Sequence, residues 1–169
     1  MRRILGIDPG SRVTGFGVIE SDGIRSTHIA SGCIRVSEGE LSQRLGEIFR
    51  EVASIVATYS PVEMAIEQVF VAKNAASALK LGQARGAAIC AGVTAGLAVS
   101  EYNPRMIKQA VVGTGTADKG QVQHMVKCIL QLEQRLVADQ ADALAVALSH
   151  AHSQSTLQAV ARAGRRWRR

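Results

Sequence analysis

The spacing of apolar positions changes near residue 40, and the change divides the chain into two kinds of element. Residues 4–7 (Ile-Leu-Gly-Ile) form a short apolar run that stops at Asp8-Pro9-Gly10, which has turn chemistry. Residues 13–19 predict a second strand, so the first two strands form a hairpin. Ile29, Cys33, Ile34 and Val36 place a third strand near residues 27–36. Leu41, Leu45, Ile48, Val52 and Ile55 then step by 4, 3, 4 and 3, the mark of an amphipathic helix that Ser60-Pro61 ends. Residues 62–66 make a short apolar strand leading into Glu67. An Ala-rich helical stretch follows from about Ala75 to Gly96, then a fifth strand from Leu97 to Tyr102. Asn103-Pro104 starts a helix, since proline fits a first turn, and Asp118 caps another that carries Val122, Met125, Val126, Ile129 and Leu130. A last helix covers roughly Val137 to Ala151.

Three strands, a helix, a strand, a helix, a strand and further helices describe an α/β protein. The expected architecture is a mixed five-stranded sheet flanked by helices. Its 169 residues suit one domain, placed at residues 1–152, with a loose basic tail over 153–169.

Charge changes this picture little until its distribution is considered. The net charge is +6, and five arginines lie in the last eight residues; without those five the body carries about +1. If four acids are gathered in one place, the remaining surface is distinctly basic and suits a phosphodiester substrate. The arginine tail reads as a solvated terminus on general grounds. Cys33, Cys90 and Cys128 are scattered and form no C-x-x-C pair, which argues for a reducing compartment and against zinc. The longest uncharged stretch, Gly86 to Ser100, is 15 residues. A membrane span needs about 20, so no membrane partner is expected and the cytoplasm is the expected compartment.

The candidate chemistry lies in four acids at element ends. Asp8 ends the first strand and Glu67 the fourth, while Asp139 and Asp142, three apart, project from one face of the last helix. Each also has an ordinary reading alone: a turn residue, a strand-end carboxylate, an acid at a helix start. Asp142, flanked by alanines, fits an ordinary reading least. Acids on otherwise apolar surfaces are costly unless paired or bound to metal, and no equally buried basic partner is evident. Oxygen ligands alone suit Mg²⁺, with Mn²⁺ able to substitute. Two divalent ions would balance four carboxylates and could align a water for in-line displacement at phosphorus.

The segments Gly6-Ile-Asp8-Pro-Gly10-Ser-Arg-Val-Thr-Gly15, Ala65-Ile-Glu67-Gln-Val-Phe70, Ala78-Leu-Lys80-Leu-Gly-Gln-Ala-Arg85-Gly86 and Asp139-Gln-Ala-Asp142-Ala-Leu-Ala closely resemble the RuvC family of Holliday-junction resolvases. The match runs in order from about Arg3 to His152. The resemblance implies a ribonuclease H-like fold, a homodimer and Mg²⁺ dependence. It also implies paired symmetric nicks across a four-way DNA junction, and work alongside a RuvA–RuvB branch-migration complex. The family's four catalytic carboxylates fall on Asp8, Glu67, Asp139 and Asp142. Its junction-contacting aromatic falls on Phe70, and two basic residues near its site fall on Lys108 and Lys119. Lys73, Lys80 and Arg85 are further candidate DNA contacts, with solvated charge as the ordinary reading.

The four histidines read as structural or surface residues. Asp8-Pro9-Gly10 with Gly15 also resembles the phosphate loop of actin-like and sugar-kinase-like ATPases, which need two such lobes where this chain has one. A non-catalytic nucleic-acid-binding module is the remaining alternative, and it needs no cluster of acids.

Overall fold

The structure, a computed structural model, describes residues 1–69 and 74–166, with side chains described as far as Ser155. Five strands, β1 (Arg2–Asp8), β2 (Val13–Ser21), β3 (Ser26–Arg35), β4 (Glu63–Glu67) and β5 (Ala98–Tyr102), form one sheet in the order β3-β2-β1-β4-β5. The β1–β2 and β2–β3 pairs are antiparallel, while β1–β4 and β4–β5 are parallel. This is the mixed sheet that the apolar pattern predicts. Helices α1 (Leu41–Tyr59) and α2 (Ala75–Thr94) cover one face. Helices α3 (Pro104–Val112), α4 (Lys119–Leu130) and α5 (Ala138–Arg166) cover the other.

Helix ends follow from local chemistry. Ser60 takes a left-handed conformation (φ 47°) just before Pro61, so α1 stops there. The Asn74 side chain accepts from the backbone N–H groups of Ala76 and Ser77 at the start of α2. Asn103 caps α3 with Pro104 in its first turn, and Asp118 and Gln121 close a reciprocal capping box on α4. The last helix is longer than the sequence predicts. It passes residue 151 without a break and runs through Arg166, because Ala, Gln and Arg sustain a helix after its apolar stripe has ended.

Alternation along the strands decides what faces what. In β1, Leu5 and Ile7 pack beneath the sheet against α1 and α2, while Ile4 packs above with α5. In β4, Met64 and Ile66 face below and Ala65 above. A period of two therefore turns Asp8 and Glu67, the last residues of neighbouring parallel strands, towards the α5 face.

Two glycines let α5 press its backbone onto that face. A Cβ on Gly6 would lie 2.2 Å from the Ala143 carbonyl oxygen, and one on Gly15 would lie 2.0 Å from the Asp139 carbonyl oxygen. Both distances are impossible for any other residue without moving the helix. Gly15 is also the register partner of Asp8. The close approach of α5 thus carries Asp139 and Asp142 to the end of β1.

Candidate active site

Asp8, Glu67 and Asp142 line one cavity of about 260 Å³, with Lys108 from α3 and Lys119 from the start of α4 on its wall. Pro104, Ile107, Val122 and Ala145 supply the apolar remainder. Asp139 does not line the cavity. It lies one turn before Asp142, close enough that its charge acts on both Asp8 and Asp142.

The acids repel one another in a poorly solvated place. Burial, followed by the charges of Glu67, Asp142 and Asp139, pushes the Asp8 carboxyl up from 3.8 to about 8, with Lys119 opposing. Burial and then Asp142 push Glu67 up from 4.5 to about 7, against Lys119 and Lys108. Asp142 is raised as well, with burial again the leading cause, while Lys119 holds it down. The Lys119 Nζ lies 3.6 Å from Asp142 Oδ2 with 78% of its side chain exposed, so it screens the acids without neutralising them.

This chemistry fits a hard divalent cation. The acids that line the cavity offer carboxylate oxygens, and among the described residues no His or Cys lines it. The side chains share the cavity without being drawn into a ligand cluster: among the described residues no three His, Cys, Asp or Glu groups stand ready to hold one ion.

The other predicted contacts are dispersed. Phe70 and Lys73 lie outside the described residues. Lys80 is exposed on α2 beside Ser11 and Arg44, on the face away from the carboxylates. Arg85 is turned inward: its Nε donates to the Glu67 carbonyl oxygen at 3.0 Å and its Nη2 lies 2.6 Å from Glu101 Oε2. Reading the sequence by side-chain chemistry overlooked Gly6 and Gly15, although a glycine inside a strand signals close backbone approach.

A mixed sheet in this order, with carboxylates at the ends of two adjacent central strands and two more acids on the helix across them, defines a ribonuclease H-like nuclease fold. A family model described as Crossover junction endodeoxyribonuclease RuvC matches residues 4–150, and the chain belongs to that family. The RuvC crossover junction endodeoxyribonuclease of Vibrio cholerae is 59% identical over 161 residues, covering 95% of this chain and 93% of that one. The protein of the same description from Marinobacter nauticus is 56% identical over 164 residues, covering 97% and 94%. Among solved structures, T. thermophilus RuvC in complex with a Holliday junction substrate superimposes with a TM-score of 0.86 at 33% identity, covering 91% of this chain and 95% of that one. The yeast mitochondrial Holliday junction resolvase Ydc2 shares the fold, with a TM-score of 0.67 at 10% identity over 93% of this chain and 82% of its own.

Proposed function

We propose that this protein resolves four-way DNA junctions by paired symmetric nicks, as a Mg²⁺-dependent endonuclease serving recombination and repair. The convergence of Asp8, Glu67 and Asp142 in one cavity, with Asp139 a turn away, carries the reading. The four carboxylates would hold Mg²⁺ or Mn²⁺, two ions per subunit, whose chemistry when bound is to activate water and stabilise the leaving oxygen.

The chain's own part is to place charge. Asp8 and Glu67 give up protons when a cation arrives. The apolar wall of Ile107, Val122 and Ala145 limits water around the reacting phosphate. Lys119 and Lys108 face the phosphate as point charges that offset the negative charge developing on it. Phe70, three residues past Glu67, stacks on an unpaired base, an interaction worth roughly 1–3 kcal/mol. Lys73 and Lys80 contact the backbone of the junction arms.

Paired nicks require two sites, and the outer face of α2 supports a homodimer. Ala75, Leu79, Gly82, Gly86 and Val93 follow a helical repeat on the side opposite the buried Ala84, Ala88 and Ala91. Leu79 is 65% exposed and Val93 57%. Among the described residues, nothing beyond the local helix backbone and chain neighbours lies within 4 Å of where a Cβ would stand on Gly82 or Gly86, so a second helix could approach closely. The family resemblance supplies the RuvA–RuvB complex as working partner. We place the protein in the cytoplasm, where Cys33, Cys90 and Cys128 remain thiols. No helix of the described residues is long and apolar enough to cross a membrane.

The test incubates wild type and Asp8→Asn with a synthetic immobile junction and a matched linear duplex, in Mg²⁺, Mn²⁺, Ca²⁺ or chelator. Wild type should nick the junction alone, and only in Mg²⁺ or Mn²⁺, because Ca²⁺ is larger and looser in geometry. Asp8→Asn should bind the junction and leave it intact. Cutting in chelator, or cutting by Asp8→Asn, overturns the reading.

A further inference from the structure

Glu67 ends β4, and its peptide is fixed by a side chain from outside the carboxylate cavity. The last ladder contact beyond it is Gln68 N–H donating to the Tyr102 carbonyl oxygen at 2.8 Å. Arg85 takes hold at the same point, with Nε donating to the Glu67 carbonyl oxygen at 3.0 Å and Nη2 2.6 Å from Glu101 Oε2. The Arg85 side chain is only 18% exposed.

The direction of approach matters. α2 lies beneath the sheet, and Glu101 neighbours Val99 and Tyr102 in a strand whose alternation turns Val99 below and Tyr102 above. Glu101 therefore faces below, with Arg85. The Glu67 carboxylate faces above, in the cavity it shares with Asp8 and Asp142. A phosphate in that cavity is on the far side of β4 from the guanidinium.

We propose that Arg85 is a positioning residue for Glu67, oriented by Glu101, rather than a contact to DNA. The forked guanidinium donates through Nε to the Glu67 carbonyl while Nη2 is ion-paired with Glu101, and the two contacts fix the peptide after Glu67 and with it the direction of the Glu67 side chain. A lysine ammonium lacks that fork. The role belongs to the carboxylate-metal reading above, but it can fail while that reading stands.

Arg85→Gln, Arg85→Lys and Glu101→Gln test it with three measurements: junction affinity without divalent metal across a salt series, single-turnover cutting, and the Mn²⁺ concentration for half-maximal cutting alongside the melting shift on Mn²⁺ addition. Groups that orient metal ligands typically matter ~10–100-fold, so Arg85→Gln should slow cutting and raise the Mn²⁺ half-saturation within about that range. Junction affinity should stay within about twofold and the salt slope should not move, since no phosphate contact is lost. Arg85→Lys should fail to restore cutting although it keeps the charge. Glu101→Gln should show the same pattern more weakly, and it decides the matter if Arg85→Gln does not fold. A salt slope reduced by about 0.9 in Arg85→Gln, with binding restored in Arg85→Lys, would make Arg85 a phosphate contact and overturn the proposal. Unchanged Mn²⁺ half-saturation in the folded variants, with only a lowered melting temperature, would overturn it too.

Discussion

Strand β4 and helix α5 meet at two places, and acids stand at both. At one end Glu63 is fully partnered. Its Oε2 lies 2.8 Å from His150 Nε2, its Oε1 accepts from Arg2 at 2.8 Å, and the Tyr102 hydroxyl lies 2.9 Å from His150 Nδ1. Each ring nitrogen of His150 has one partner there, Glu63 at Nε2 and the Tyr102 hydroxyl at Nδ1. At the other end, four residues along the same strand, Glu67 faces Asp142 and Asp8, and its pKa is pushed up to about 7. Same strand, same helix, same sheet face: one acid is wired into the architecture and the other is held against its own kind. An acid with a partner at each oxygen is held in a fold at little cost, and removing a partner strands it. A buried acid among acids lowers stability and marks the place where a cation is to bind.

The largest effect should come from removing that repulsion. Asp8→Asn should slow junction cutting at least ~10³-fold, roughly 4 kcal/mol of transition-state stabilisation, and yet raise the melting temperature in metal-free buffer. The sign follows from the raised pKa. Between about 4 and 8 the folded protein keeps a proton on Asp8 that the unfolded chain has lost, so stability falls as pH rises through that window. The variant lacks this loss, and its advantage should widen towards pH 8 and vanish near pH 4. Each kcal/mol appears as roughly 2–4 °C in a chain of this size. A variant melting below wild type at pH 8 would put Asp8 with the partnered acids.

Lys119→Met should act next, slowing single-turnover cutting by about 10²-fold while weakening junction binding far less. Losing the cation 3.6 Å from Asp142 also removes a charge that lowers the pKa of all three cavity acids. The pH at which metal-dependent cutting half-develops should therefore move up. Equal rates in rapid-quench experiments would remove Lys119 from the site.

The partnered end should respond through stability alone. His150→Ala should lower unfolding free energy by about 2–3 kcal/mol, from lost packing and a stranded Glu63, and Tyr102→Phe by about 1 kcal/mol. Denaturant unfolding measures both, and the folded variants should cut junctions much as wild type does. A specific collapse of cutting in the folded variants would couple the two ends.

Much of this was legible in the chain because strands and helices announce themselves by period. The five strands, their approximate limits, the helix start at Asn103-Pro104 and the cap at Asp118 follow from spacing and turn chemistry. So does the placement of Asp8 and Glu67 at strand ends. Pairwise geometry was less legible. Nothing in the sequence tells that Arg85 turns in to the Glu67 carbonyl, since a basic residue on a helix has the same spelling whether it meets solvent, phosphate or backbone. His150 reads as structural without revealing Glu63 or Tyr102, because those partners lie 87 and 48 positions away. The length of α5 was missed because its continuation to Arg166 rests on helix propensity after amphipathic patterning has faded.

The most direct measurement is calorimetry of Mn²⁺ binding to the DNA-free protein at pH 7, in two buffers of different ionisation enthalpy. Carboxyls raised to about 8 and about 7 still hold protons at that pH, so binding at Asp8 and Glu67 must release them. The release should shrink towards zero by about pH 9 and be reduced, with weaker binding, in Asp8→Asn. Binding without proton release at pH 7, or binding of equal strength in Asp8→Asn, would contradict the gathering of these acids around a metal.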